Sequence, residues 1–419
     1  MKVAIAAMDT RGGIQPYVAL GEGLARAGHD VRMIAPEDAA SMIDEAKIPH
    51  ARLEGSVEAS LRGSEGAPER GALAVMRFAA RELEARVRGW TKTALEACDG
   101  VDLVVGGVGG MVVALSAAEK AGVPFVPAHL QPLGAPTDAY PGVLFPRTPR
   151  WLGRWAIRAS HRLTELGVWM PFERAMSTAR REVLGLEGAP RAAEGRPVLY
   201  GFSRLVVDVP PDPAVDRHVT GYWTLAAERF EPPARLAAFL ARGGPIVCVG
   251  FGSMASRDPA AAAACVLEAT RAAGVRAILL SGWGGLRASE SDDVFVTDAL
   301  PHDWLFPRMT AVVHHGGAGT TGAGLRAGVP AVVVPFTMDQ PFWGARVAAL
   351  GVGPEPIPRS RLRAERLARA LTEVQDPGMR ARARALGEAL RREEGVREAV
   401  RVLERAAAGE IPANGLQMQ

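Results

Sequence analysis

The sequence predicts an α/β protein built from two doubly wound, Rossmann-like parallel sheets that face a cleft. Three observations carry that expectation. At 419 residues the chain exceeds what one hydrophobic core serves, which favours two domains of roughly 200 residues each. Short apolar runs alternate with segments of helical period in both halves, the pattern of parallel strands joined by crossover helices. Glycine-rich turns follow apolar runs, at the ends of strands where such sheets meet their ligands.

Residues 2–7 (KVAIAA) read as the first strand, 15–27 (QPYVALGEGLARA) as a helix ended by Gly28, and 30–35 (DVRMIA) as the second strand. A strand at 102–107, a helix at 110–121 and a strand at 123–128 repeat the unit. Between 130 and 180 the alternation gives way to a stretch rich in Pro, Trp and Phe. Its aromatics either seal a surface excursion onto the sheet or wall a ligand. Prolines then gather at 209–236, the expected linker region. The second half shows strands at 245–254, 276–282 and 294–298, a helix at 259–273, and then "VVHHGGAGTTGAGLRAGVPAVVVPF" at 312–336. The expected division is a domain 1–212, a linker 213–236, a domain 237–390, and a C-terminal helix 391–419 that can pack back on the first domain.

Composition narrows the function classes. The chain is 48% hydrophobic and 23% charged, as in a water-soluble globular protein. No long basic run accompanies the net charge of +3, which argues against nucleic acid as a partner. Cys98, Cys248 and Cys265 lack metal-ligand spacing and read as packed, reduced thiols of a cytoplasmic protein. The start, "MKVAIAAMDTRGG", reads as a buried strand rather than a signal peptide, and no segment approaches ~20 uninterrupted apolar residues.

Within 312–336, a strand at 311–314 runs into "HGGAG", and a helix begins near Thr320 and ends at Gly328. Such a junction leaves unpaired backbone N–H groups at the positive end of a helix dipole. Gly316, Gly317 and Gly319 allow close approach and Thr320 or Thr321 can add a hydroxyl, so a phosphate or diphosphate suits the turn. Gly317, Gly319 and Gly322 also spell G-x-G-x-x-G, with Asp339 twenty residues past Gly319, which keeps an NAD-binding oxidoreductase in view. Against it, Asp339 lies several residues beyond the end of "AVVVP" and paired histidines are no part of that fingerprint. A P-loop is excluded because no Lys follows the last glycine. The alternative without a ligand is a turn that only packs a helix on a sheet. Side chains alternate along a strand, so at most one of His314 and His315 faces the cleft.

The stretch "PHDWLFPRMTAVVHHGGAGTTGAGLRAGVPAVVVPFTMDQPFWGARV" (301–347) resembles the donor-binding segment of nucleotide-sugar glycosyltransferases of the GT-B fold, in the sterol glucosyltransferase and antibiotic glycosyltransferase branch. "TRGGIQPYVALGEGL", "HLQPLGAPTDAYPGVLFP", "VTGYW" and "VGFGSM" extend the similarity over most of the chain. The resemblance implies an inverting enzyme that moves a hexose from a UDP- or TDP-sugar to a hydroxyl of an apolar sterol, polyketide, macrolide or flavonoid-like molecule. It implies an N-terminal acceptor domain and a C-terminal donor domain. His315, Gly317, Gly319, Thr320, Thr321 and Ser253 match diphosphate contacts. Leu300 and His302, with Trp283 at the edge, match the nucleoside site, and Asp339 and Gln340 match a pair that reads sugar hydroxyls. Gly13, His129, Asp138 and Trp343 are expected at the acceptor. No metal or other cofactor is expected, since helix dipole and side chains replace the ion and no Asp-x-Asp motif occurs. Peripheral membrane contact is compatible with such acceptors.

Sugar transfer also needs a base for the acceptor hydroxyl. The resembling branch reads R-G-D in the first turn, whereas this chain reads "TRGGIQP" and has Gly13 at the position of the acid. The nearest substitute is Asp9 at the tip of the first strand, which could equally cap the next helix. His129 and Asp138 are second choices. An acidic acceptor needing no strong base, an inactive lipid- or polyketide-binding relative, and a sugar-nucleotide epimerase stay open.

Overall fold

The structure, a computed structural model, describes residues 1–57, 59–60, 72–188, 197–212, 215–225, 230–252, 254, 258–282, 286 and 288–409. Two compact units emerge: Met1–Ser60, Met76–Leu225 and the chain from Glu393 onward form one, and Ala226–Arg392 form the core of the other.

The first unit carries β1 (Lys2–Ala6), β2 (Asp30–Pro36), β3 (His50–Leu53), β4 (Leu103–Gly106), β5 (Phe125–His129), β6 (Val198–Tyr200) and β7 (Arg217–Val219). They form one sheet in the order β3-β2-β1-β4-β5-β6-β7, with every pairing parallel. Its helices are α1 (Arg11–Arg26), α2 (Ala40–Glu45), α3 (Ala72–Ala97), α4 (Val108–Ala121), α5 (Arg154–Trp169) and α6 (Glu173–Ala179). Strand order reverses between β1 and β4, so the carboxyl ends of those strands frame a ligand crevice. β1 is apolar on both faces because it is central, and residues from Val3 to Ala7 are buried. α3 and α4 close one core with Leu83, Val87, Trp90, Val113 and Leu115. The first helix starts at Arg11, ahead of the expected residue 15, so Gly12 and Gly13 form its opening turn.

In the second unit β8 (Ile246–Gly250), β9 (Arg276–Leu280), β10 (Val294–Thr297), β11 (Ala311–His314) and β12 (Ala331–Val333) pair in parallel in the order β10-β9-β8-β11-β12. Around them run α7 (Ala234–Ala241), α8 (Pro259–Ala272), α9 (His302–Leu305), α10 (Ala318–Ala327), α11 (Gln340–Ala349), α12 (Ala364–Glu373) and α13 (Pro377–Arg391). Here the reversal falls between β8 and β11. The strand expected over 245–254 ends at Gly250, because Gly252 turns the chain with φ 59°. α10 begins at Ala318 rather than near Thr320 and stops at Gly328, whose φ of 74° only glycine adopts freely.

The last helix, α14 (Gly395–Ala407), returns to the first unit and packs on α1. A Cβ on Gly23 would overlap the Val396 side chain, so that glycine lets the two helices meet. His29 Nε2 lies 2.9 Å from Glu404 Oε1 across the same contact. The three cysteines are free thiols, and burial pushes Cys98 up to about 12. Among the described residues no helix is long and apolar enough to cross a membrane.

Candidate functional site

The turn between β11 and α10 lies at the second unit's switch point. Gly316 takes φ 92°, and a Cβ there would meet Val333 Cγ1 at 2.7 Å and Gln340 O at 2.9 Å. Only glycine fits, and the turn it makes swings the chain from strand into helix. Gly317 is the N-cap of α10 and contributes no side-chain hydrogen bond, so the first N–H groups of the helix remain for a ligand. Gly319 and Thr320 lie in that opening turn.

The two histidines take different parts. His314 is 1% exposed, and its Nδ1 accepts a 3.0 Å hydrogen bond from Gly316 N–H. It fixes the turn from beneath, and burial pushes its pKa down to about 3. His315 is half-buried, with its ring laid between two glycines. A Cβ on Gly317 would come within 2.5 Å of His315 Nε2, and one on Gly252 within 3.0 Å of Cε1. The imidazole thus rests on the start of α10 because both neighbours lack side chains. Burial, and then the charge of His302, lower it to about 4, so it is neutral near pH 7. His302 opens α9 and stacks on Phe306 with centroids 4.3 Å apart and planes at 15°. α9 packs on α10, so His302 lies on the helix next to that of the turn. Leu300 packs against the core cluster that contains Phe306.

Other expected residues have different surroundings. Thr321 is 1% exposed with its hydroxyl inside the fold, so of the two threonines Thr320 is the accessible one. Trp343 was expected to wall the acceptor; it is instead wholly buried, since its face of α11 packs on the sheet, and its Nε1 donates to Asp339 Oδ2 at 2.9 Å. Gln340 was expected to read a sugar hydroxyl; its buried Oε1 accepts from Phe336 N and Thr337 N at 2.8 and 3.1 Å, and its Nε2 lies 3.3 Å from Met254 Sδ. Gln340 therefore pins the loop that presents Asp339. That loop contains Met338 at φ 57°, a left-handed conformation uncommon outside glycine. Ser253 and Trp283 lie outside the described residues.

In the first unit, Asp9 follows the carboxyl end of β1 and precedes α1. Its Oδ1 accepts from Thr10 N–H at 2.6 Å. Its carboxyl occupies the space into which a side chain on Gly13 would extend, so a Cβ there would overlap it. Although the residue reaches solvent, desolvation raises its pKa above the ordinary 3.8, against the lowering pull of Thr10. Tyr17 is raised too, first by burial and then by the Asp9 charge, and its hydroxyl donates to Ala128 O at 2.6 Å.

The second-choice bases are corrected by their environments. Asp138 is gripped by Arg154 and Arg158 at 2.8 and 2.6 Å from their Nε atoms, which hold its carboxyl down to about 2. A carboxylate so paired takes no proton near neutrality. His129 ends β5 but is 6% exposed against Tyr200, and burial lowers it to about 4. Sequence reasoning passed over Gly107, Gly109 and Gly110. Cβ atoms there would overlap the Tyr17 hydroxyl and the carbonyls of Met8 and Ala6, so these glycines seat the start of α4 on β1 beside Asp9. Their signal was visible as "GGVGG" directly after an apolar run.

Residues 3–128 match the glycosyltransferase family 28 N-terminal domain, and 285–404 match the erythromycin biosynthesis protein CIII-like C-terminal domain. A sterol 3-beta-glucosyltransferase of Arabidopsis thaliana is 33% identical over 98% of this chain and 69% of its own length. One of Debaryomyces hansenii is 33% identical over 94% of this chain, which spans only 26% of that longer protein. Among solved structures, a glycotransferase of kitacinnamycin superposes with TM-score 0.67 at 20% identity, covering 97% of this chain and 98% of the other. A calicheamicin glycosyltransferase gives 0.65 at 17% identity, covering 98% and 99%. The glycosyltransferase VinC in complex with dTDP gives 0.64 at 19% identity, covering 97% and 100%. At such identities the structures speak for the fold alone.

Proposed function

The chain belongs to the GT-B glycosyltransferases, and from that membership we propose that it moves a hexose, glucose or a deoxysugar, from a uridine or thymidine diphosphate to a hydroxyl of an apolar sterol or natural product. The observation that carries this reading is the His315 imidazole lying against Gly317 at the uncapped start of α10. Donated hydrogen bonds and a helix dipole converge there on space suited to a diphosphate. The sterol 3-beta-glucosyltransferase relatives support an apolar acceptor.

In the reaction, Asp9 takes the proton of the acceptor hydroxyl, and the oxygen attacks the anomeric carbon as its bond to the diphosphate breaks. Attack from the face opposite the leaving group inverts the configuration. The N–H groups of α10 and His315, which gains a proton as the negative charge arrives, hold the departing diphosphate. Asp9 suits the task because it is solvent-accessible and more basic than an ordinary carboxylate. Asp339, fixed by Trp343 and the Gln340-pinned loop, hydrogen-bonds sugar hydroxyls. The donor site asks for no metal, and the enzyme works in the cytoplasm.

The test is thermal protection by uridine and thymidine diphosphates, followed by transfer from their glucose and deoxysugar conjugates to sterols, flavonoids and macrolactones. Protection with product formation is the expected outcome. Protection without turnover on any pair makes the chain a binding protein, and absence of protection removes the donor-site assignment.

A further inference from the structure

Among the described residues, six of the seven exposed large hydrophobic side chains fall in the single segment 145–170. Trp151 is 83% exposed and Trp155 70%, followed by Leu163 at 51%, Leu166 at 62% and Met170 at 65%. Local structure explains how they come to share a surface. The inner face of α5 is consumed by the preceding excursion: Ile157, Ser160, His161 and Thr164 are buried, Ser160 Oγ accepts from Gly142 N–H at 2.8 Å, and His161 Nε2 lies 2.9 Å from Tyr140 O. With that face fixed, helical spacing turns Trp155, Leu163 and Leu166 outward along a helix ~24 Å long, and Met170 follows directly at its end. Two exposed tryptophans at one end and a Leu–Leu–Met cluster at the other exceed the scatter normal for a soluble surface.

Charge identifies the occupant. From Asp138 to Met170, arginines outnumber carboxylates five to two. Arg147 and Arg162 are exposed, and the Arg154 and Arg158 side chains are 80% and 66% exposed even while they hold Asp138. A second copy of this chain would set arginine against arginine across an isologous contact, which is repulsive. Tryptophan and leucine interleaved with arginine on the outside of a helix match a bilayer interface, where the rings enter the headgroup boundary and the guanidinium groups meet anionic headgroups. We propose that the outer face of α5, with Trp151 and the excursion before it, docks the protein on anionic lipid membranes. The inference extends the proposed function, because an apolar acceptor resides in lipid and the excursion leaves from the carboxyl end of β5, the ligand side of the sheet.

Flotation with vesicles of phosphatidylcholine alone, and of phosphatidylcholine with phosphatidylserine, tests this without donor or acceptor. The full chain is expected to float with the phosphatidylserine vesicles, to be released by salt, and to show a blue shift of tryptophan emission. W151S/W155S should lower the bound fraction by roughly tenfold. R147E/R162E should abolish the preference for phosphatidylserine. Both variants alter exposed positions, so their melting should stay near that of the parent. Failure to float with either vesicle, or flotation unchanged in W151S/W155S, overturns the proposal, as does a lipid-free dimer that W151S/W155S dissolves. Transfer to a water-soluble acceptor should be intact in both variants. A chain that floats but transfers no sugar retains the docking surface and loses the catalytic reading; one that transfers but never floats does the reverse.

Discussion

The Asp9 carboxyl lies over the α-carbon of Gly13, in the volume a side chain at that position would need. Under the proposed mechanism, Gly13 therefore makes room for the base it does not itself supply. Gly13→Ala adds no chemistry yet should displace Asp9 and slow transfer to unactivated hydroxyls by roughly 10²-fold, and Asp9→Asn should cost roughly 10²–10⁴-fold. Protection by uridine diphosphate should survive in both. Asp9→Ala combined with Gly13→Asp should recover part of the rate. The raised pKa of Asp9 should shift the acidic limb of the rate profile upward from where Asp9→Asn or a relocated carboxylate would leave it. Steady-state kinetics across pH on the three variants checks all of this.

His315→Ala should weaken nucleotide diphosphate binding by roughly 10–100-fold, the cost of one hydrogen bond to a charged group. Gly317→Ala should do much the same, since its Cβ would stand 2.5 Å from His315 Nε2. Because His315 is lowered to about 4 when free, diphosphate binding near neutrality should take up a proton and tighten as pH falls. Calorimetric titration in buffers of different ionisation enthalpy measures that uptake.

Stability should fall in acid through a named set of groups. Burial lowers His129 to about 4, His314 to about 3 and His315 to about 4, all from 6.5 in the unfolded chain. The unfolded chain binds protons first as pH drops, so stability is lost progressively from pH 6.5 down to the folded values. Urea midpoints should decline across that window, and His129→Gln should flatten the slope.

Trp343→Phe keeps most of the buried ring and removes the 2.9 Å hydrogen bond to Asp339. It should cost ~1 kcal/mol of stability. With one restraint on the Asp339 carboxylate removed, the donor KM should rise severalfold while diphosphate affinity is unchanged. Comparing sugar-nucleotide and bare diphosphate binding separates the two effects.

Much of the fold was legible because its signals are local. Apolar runs such as 2–7 and the start of 245–254 announced parallel strands, and the glycines at 316–319 announced a turn from strand into helix. Boundaries were less legible: α1 and α10 begin earlier than expected because glycines entered their first turns. Side-chain roles set by distant neighbours were misread. Gln340 and Trp343 looked like ligand contacts beside Asp339, yet helix α11 turns both inward. Asp138 looked free until Arg154 and Arg158 closed on it from α5.

Periodicity and glycine placement, which depend only on neighbours along the chain, determined the two doubly wound sheets and the turn after His315. Which imidazole is buried, which carboxylate stays basic, and where Asp9 rests relative to Gly13 were decided by tertiary packing. Burial and charge pairing act between residues that the backbone brings together only when folded, and those contacts set proton affinities that no local pattern encodes.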